Sequence, residues 1–338
     1  MPLSEIQTLL VTGATGLVGS HVAEQARSLG LTVRALCRDT AETRRLDEWG
    51  VQIVRGDLND TDALRQACAG VDAIVHCAAR VGDWGPTAEY RRVNVDGTRQ
   101  LLEAALTAGH LKRWVQISSL GVYPATDHYG TDESTAPSTA GIDGYTLTKV
   151  ESEQLVLDYV RQQQLPAVVL RPGFIYGPRD RTILPRLLER LASGQFAYLG
   201  NTDKLMNNTF VGNLCEAIWQ ALSHADAVGM VYNIRDPRAV TKREFIETIC
   251  DAAQLRHPTK VVPLHIARGL STIMETTWKL LRRQSAPLVN SARVKFLGLN
   301  LDFDISRAQS HLGYQPTTDF RTAMPDTVAT FLQSGGES

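Results

Sequence analysis

Short β-branched apolar runs alternate with segments patterned as helices along the chain. Thr8 to Val11, Thr32 to Cys37, Val51 to Val54, Ala73 to Cys77, Trp114 to Ile117 and Ala167 to Leu170 read as strands, each bounded by turn residues or charged helices. Such alternation predicts an α/β fold, a doubly wound parallel sheet with helices on both faces. Met230 to Ile234 reads as a further strand of the same sheet, so the chain leaves the sheet after Pro178 and returns to it near Val231. This division assigns residues 1–178 plus about 206–235 to the sheet domain. About 179–205 and 236–338 then form a smaller, mainly α domain. A length of 338 residues suits that arrangement. Ser334 to Ser338 reads as a frayed tail.

Composition narrows the class. The apolar fraction of 43% is ample for a buried core, and a net charge of -1 offers no basic surface for nucleic acid. The five cysteines are odd in number and scattered, with no Cys/His spacing for zinc or another metal. The N-terminal residues lack the basic-then-apolar pattern of a signal peptide, and no apolar run is long enough for a membrane span. A cytoplasmic location is the resulting expectation.

TGATGLVG at 12–19 follows the first strand and precedes a helix read over Ser20 to Leu29. That context makes the glycines a dinucleotide turn of Rossmann type. Gly13 permits the tight turn, Gly16 lets the backbone approach phosphates, and Gly19 lets helix and strand pack closely. The helix N-terminus offers unpaired N–H groups to a pyrophosphate. The second strand ends in Cys37-Arg38, with no carboxylate until Asp39. Arg38 can pair with a 2′-phosphate, so NADP is favoured over NAD. Asp57, in Gly56-Asp57-Leu58, can accept from an adenine amino group or cap the next helix. Ala78 and Ala79 are small enough for a cofactor to lie against the backbone.

Tyr145 and Lys149 stand four residues apart and share a helix face. A free tyrosine titrates near pH 10, too high for efficient proton transfer at neutrality. An ammonium about 4 Å away, at an effective dielectric near 20, favours the phenolate by up to ~4 kcal/mol. Lys149 is therefore expected to lower the Tyr145 pKa and to hold the nicotinamide ribose. Ser119, after the fifth strand, can hydrogen-bond a substrate carbonyl oxygen.

Together with HCAA at 76–79, NVDGT at 94–98, SSLGVY at 118–123, YTLTK at 145–149 and LRPGFIYGP at 170–178, these features resemble an extended short-chain dehydrogenase/reductase over essentially the whole length. The resemblance implies that Ser119, Tyr145 and Lys149 form the catalytic triad, with Asn94 as its supporting asparagine. It implies cofactor contacts from Gly13, Thr15, Gly16, Leu17, Val18, Gly19, Arg38, Asp57, Leu58, Ala78, Ala79, Tyr145, Lys149 and Pro172. Related sugar-nucleotide dehydratases carry an acid after the serine, whereas here Ser119-Leu120-Gly121 follows. Related epimerases carry a diphosphate-binding arginine where Met206-Asn207-Asn208 stands, with Lys204 nearby as a partial substitute. The match is to the 3β-hydroxysteroid dehydrogenase-like and 2-alkyl-3-oxoalkanoate reductase-like group, through AARVGDWG at 78–85, Arg171-Pro172-Gly173 and DISRA at 304–308. That implies a small apolar substrate, with Arg80, Trp84, Tyr123 and Met206 as candidate contacts.

Leu264 to Arg283 carries a broad apolar face and a cationic C-terminal end. The ordinary reading is a packed helix. The sharper one is a lid or peripheral membrane helix over a lipid-like substrate. The leading function is reduction of a 3-oxo group, or oxidation of a 3-hydroxy group, linked to NADPH. A nucleotide-sugar 4-epimerase with tightly held NAD and a non-enzymatic NADP sensor are the alternatives. A homodimer through helices near 94–108 and 145–162 is expected from the resemblance.

Overall fold

The computed structural model describes residues 2–140, 143–283 and 285–333; the tail expected to fray lies outside them. Strands β1 (Thr8–Thr12), β2 (Thr32–Cys37), β3 (Gln52–Arg55), β4 (Ala73–His76), β5 (Arg113–Ile117), β6 (Ala167–Pro172) and β7 (Val231–Ile234) form one parallel sheet. Its order is β7-β6-β5-β4-β1-β2-β3. The chain reverses direction across the sheet between β1 and β4, which opens a crevice at their C-terminal ends. This is the expected Rossmann-type fold. β3 begins one residue later than its apolar run suggested, and β1 and β6 run on to Thr12 and Pro172.

The main helices are α1 (Leu17–Ser28), α2 (Thr61–Cys68), α3 (Gly97–Ala108), α4 (Gly144–Gln163), α5 (Leu184–Ala192), α6 (Val211–Ser223), α7 (Lys242–Ala252), α8 (Leu264–Leu280), α9 (Ser291–Gly298) and α10 (Phe320–Gln333). Strand alternation sends neighbouring side chains to opposite layers. Leu9 and Val11 join Val22, Ala26, Leu214 and Ile218 on one face. Leu10 and Ile74 join Leu64, Leu101, Leu102 and Val156 on the other. Each layer thus needs helices, and the sheet is buried on both sides.

A third core gathers Leu184, Leu188, Phe245, Ile249, Phe320 and Met324 from α5, α7 and α10. The C-terminal region is not confined to it. Ile305, Ala308, Leu312 and Tyr314 pack into the first face of the central sheet. Leu301–Phe303 also pairs in parallel with His128–Thr131, in the connection between β5 and α4. The C-terminal region is therefore fastened directly to the segment that follows Ser119.

Candidate active site

The glycine turn owes its shape to close approach. Gly13 takes φ 68°, and a Cβ there would lie 2.8 Å from the Ala78 nitrogen. The Gly16 N–H closes the turn onto the Gly13 carbonyl at 2.9 Å. A Cβ on Gly19 would come within 2.3 Å of that same oxygen. α1 starts at Leu17, and Gly16 gives it no side-chain cap. An uncapped first turn of α1, beside glycines that keep Cβ atoms out of the close contacts, fits a dinucleotide pyrophosphate. Thr15, Leu17 and Val18 flank these glycines, each half-buried.

A buried hydrogen-bond chain runs from this turn across the sheet. Ala78 N–H donates to Thr12 Oγ1 at 3.2 Å, and Thr12 meets His76 Nδ1 at 2.7 Å. His76 Nε2 lies 3.0 Å from Thr98 Oγ1, which donates to the Asn94 carbonyl at 2.7 Å. The Thr98 hydroxyl hydrogen is committed to Asn94, so His76 donates from Nε2 and accepts at Nδ1. Burial, with the Lys149 charge, lowers the His76 pKa to about 3, which keeps this neutral tautomer.

Asn94 lies in a π-helical turn, Arg92–Asp96, leading into α3. Its side chain accepts from Arg80 N at 2.7 Å and donates to the Arg80 carbonyl at 3.1 Å and to Thr148 Oγ1 at 3.0 Å. Asn94 thereby ties the loop after β4 to α4, the helix that carries Tyr145 and Lys149. Asp143 caps α4 by accepting from Thr146 N at 2.9 Å.

Lys149 is buried and donates from Nζ to the Ile117 carbonyl at 2.8 Å. Burial lowers its pKa to about 8, against the opposing effects of Cys77 and Glu153. Tyr145, half-buried one turn earlier, is pushed above its ordinary value by burial and by Asp143. The expected lowering of Tyr145 by Lys149 is thus not met here. Desolvation dominates, the Asp143 charge adds to it, and the ammonium is directed at Ile117. Ser119 caps the short helical turn Leu120–Val122, its Oγ accepting from Gly121 N at 3.0 Å. That leaves the Ser119 hydroxyl hydrogen free to donate. Ser118 is buried instead, with Oγ 2.5 Å from Glu153 Oε2.

Two residues that the sequence reading passed over, Glu153 and Lys295, help hold this site, and other residues it named take different roles. Arg171 and Glu153 form a buried ion pair, with Arg171 Nε 3.1 Å from Glu153 Oε2. Arg171 also donates to the Tyr123 hydroxyl at 2.7 Å, which donates to Asn233 Oδ1 at 2.8 Å. The Tyr123 ring is 0% exposed, so this geometry makes it part of the core and not a substrate contact. Met206 is likewise packed into the third core, beside Lys242. Lys204 gives its charge to Asp127 at 2.7 Å, which removes it as a stand-in for the diphosphate arginine. Lys295 on α9 donates to the carbonyls of Gly121 and Tyr123 at 2.6 and 2.9 Å, pinning the serine turn from the C-terminal side. The spacing of Glu153 four residues beyond Lys149 was a readable signal; Lys295 offered none.

At the other end of the crevice, Arg38 is exposed after β2. Arg55 shores up the same loop by donating to the carbonyls of Arg38 and Ala41, each at 3.2 Å, and to Thr43 Oγ1 at 2.8 Å. Asp57 is exposed and accepts from Asn59 N at 2.7 Å, while the α2 cap is Asp60. The Leu58 side chain is buried against Gly97. Ala78 and Ala79 are half-buried at the end of β4, and Pro172 ends β6 in the buried centre. Arg80 pairs with Glu89 at 2.6 Å and lies over the Tyr90 ring. Trp84 donates from Nε1 to the Arg283 carbonyl at 3.0 Å, and its neighbour Asp83 pairs with Arg293 at 2.6 Å. The loop that holds Arg80 and Trp84 is therefore clasped by the segment that follows α8.

Among curated proteins, the chain is 28% identical over 333 residues to 2-alkyl-3-oxoalkanoate reductase of Shewanella oneidensis, covering 95% of this chain and 85% of the relative. It is 29% identical over 345 residues to 3 beta-hydroxysteroid dehydrogenase/Delta 5-->4-isomerase of Mycobacterium tuberculosis, covering 97% and 91%. Among solved structures it is similar to MoeE5 in complex with UDP-glucose and NAD, with TM-score 0.74, 26% identity and coverage of 97% and 99%. These likenesses agree with an enzyme of the extended short-chain dehydrogenase/reductase type. Residues 9–234 match the NAD dependent epimerase/dehydratase family, and the chain belongs to that family.

Proposed function

We propose that this enzyme reduces a 3-oxo group, or in reverse oxidises a 3-hydroxy group, on an apolar substrate such as a sterol or long-chain 3-oxo acid, with NADP as the preferred cofactor. The reading rests on one arrangement. Lys149 is fastened to Ile117 at the end of β5, two residues before Ser119, with Tyr145 one turn before Lys149 and the glycine turn packed against Ala78. The nicotinamide cofactor supplies or accepts the hydride when bound. Tyr145 transfers the proton at the substrate oxygen, and the free Ser119 hydrogen holds that oxygen in place. Lys149 uses one hydrogen on Ile117 and has two left for Tyr145 and the ribose.

Arg38 supports NADP, because it stands exposed on a loop that Arg55 holds, with no acid at the strand end. Residues 179–205 and 236–338 are the proposed substrate domain. All five cysteines are free, in keeping with a reducing cytoplasm. Val93, Ala104, Leu106 and Leu157 are apolar and only partly buried around α3 and α4, where a homodimer would form. An NAD-dependent nucleotide-sugar 4-epimerase is the second reading, favoured by the likeness to a structure holding UDP-glucose and NAD. The commitment of Lys204 to Asp127 argues against it.

The test is cofactor oxidation by the purified protein, with NADPH and NADH in parallel, across 3-ketosteroids, long-chain 3-oxo acids and simple aromatic ketones. Turnover of an apolar ketone, faster with NADPH, is expected. No turnover, together with NAD retained through purification, would transfer the assignment to the epimerase.

A further inference from the structure

α8 presents its apolar stripe outward. Ala267 and Ser271 are its buried residues, while Ile266, Leu270, Ile273 and Leu280 are 51, 42, 66 and 82% exposed. Leu281 and Leu288, just beyond, are 57 and 58% exposed. At one residue per ~100°, positions 266, 270, 273, 280 and 281 fall within an arc of roughly 100°, clear of the buried edge through 267 and 271. The packed-helix reading accounts for that buried edge and leaves the larger apolar face exposed among the described residues. A contiguous exposed patch of this kind marks an interaction surface.

The charges on the face opposite the stripe, and just past the helix end, select the partner. Arg268, Lys279, Arg282 and Arg283 are exposed on and just after this helix. Its one acid, Glu275, accepts from the Ser291 N–H and hydroxyl, both at 2.6 Å, and lies 3.9 Å from Lys279, leaving Arg268, Arg282 and Arg283 in excess. An apolar stripe on one face with Lys and Arg on the other is the pattern of a helix lying in an anionic bilayer surface, whose acyl region takes the leucines and isoleucines while its headgroups attract the cations; a second copy seated on the stripe would leave that cationic face unused. We propose that α8, together with Leu281 and Leu288, docks on an anionic bilayer, in the plane of the interface.

The surface is joined to the site. The Arg283 carbonyl accepts from Trp84, and Asn290 and Arg293 hold Asp83. The docked element therefore continues into the clasp on the loop assigned to the substrate. Resting on the apolar-substrate reading, this makes the bilayer the source from which the ketone enters.

Cosedimentation of the full-length protein tests the docking, using vesicles of phosphatidylcholine alone and with about one quarter phosphatidylglycerol. Binding to the anionic vesicles is expected, weakening with salt and falling about tenfold or more in Ile273→Glu/Leu280→Glu and in Lys279→Glu/Arg282→Glu. The sites are exposed, and unchanged circular dichroism would establish that both variants fold. No binding by the wild type, or equal binding by both variants, would overturn the proposal. Self-association that the variants abolish, without vesicle binding, would assign the stripe to a second copy and overturn it too. A water-soluble ketone separates the two readings. Both variants should turn it over as the wild type does; a wild type that binds vesicles yet turns over no ketone would leave the docking intact and remove the reductase.

Discussion

The Lys149 ammonium lies 2.8 Å from the Ile117 carbonyl oxygen, so α4 is fastened to the end of β5 by the lysine proposed to serve Tyr145. Its pKa, lowered by burial from 10.5 to about 8, sets a pH window for the reaction. Tyr145 is pushed up by burial and holds its proton throughout that window. Reduction needs a protonated tyrosine and a charged lysine. kcat/KM for ketone reduction is therefore expected to be level below about pH 8 and to fall above it as Lys149 deprotonates. Lys149→Met should lower kcat by about a hundredfold or more and remove that inflection. A pH–rate profile checks both; an inflection retained in the variant would assign the titration to another group.

Adjacent serines separate chemistry from stability. Ser119 keeps a free hydroxyl hydrogen above its turn, whereas Ser118 is committed to Glu153. Ser119→Ala is expected to reduce kcat by roughly a hundredfold, as removal of a single oxyanion donor does, with little change in Tm. Ser118→Ala should leave kcat within about twofold and lower stability by about 1–3 kcal/mol, the range for a lost hydrogen bond to a charged group. Steady-state kinetics and thermal melts on the same preparations distinguish them. The reverse pattern would move the substrate oxygen to Ser118.

The ion pair between Arg171 and Glu153 makes a sharper stability prediction because both groups are buried. Removing one partner leaves the other charge uncompensated, at a cost of about 3–5 kcal/mol. Arg171→Met should show that loss in urea denaturation. Arg171→Met combined with Glu153→Leu should recover a large part of it, since a neutral pair carries no stranded charge. A double variant as unstable as the single one would place the cost in packing around Tyr123 and Asn233.

What the sequence disclosed follows from range. The sheet was legible because each strand is a local apolar run, and the glycine turn because Gly13, Gly16 and Gly19 act on backbone within a few residues of one another. Tyr123 was misjudged because an aromatic after the serine motif reads alike whether it faces a pocket or the core. Only Arg171 and Asn233, distant in sequence, decide the matter. Lys295 reaches Gly121 across 174 positions, a pairing with no local pattern. The stripe on α8 was visible as a period, but a period does not say which face is covered. Burial at Ala267 and Ser271 settles that.

His76 links the glycine turn to Asn94, and its protonation should couple acid to unfolding. It accepts from Thr12 at Nδ1 and donates to Thr98 from Nε2, an arrangement available only to the neutral ring. Burial lowers its pKa from 6.5 to about 3. Between these values the unfolded chain binds a proton that the folded chain refuses, so stability falls as pH drops through this window and is fully present above about pH 6.5. At about pH 5 this histidine alone removes ~2 kcal/mol. His76→Asn should be less stable than wild type near neutrality, because Thr12 and Thr98 lose a partner, yet should lose less on acidification. Urea midpoints at about pH 7.5 and 5 measure both effects. An equal acid loss in wild type and variant would shift the acid sensitivity to other groups, among them His21, whose pKa burial and Arg179 lower to about 4.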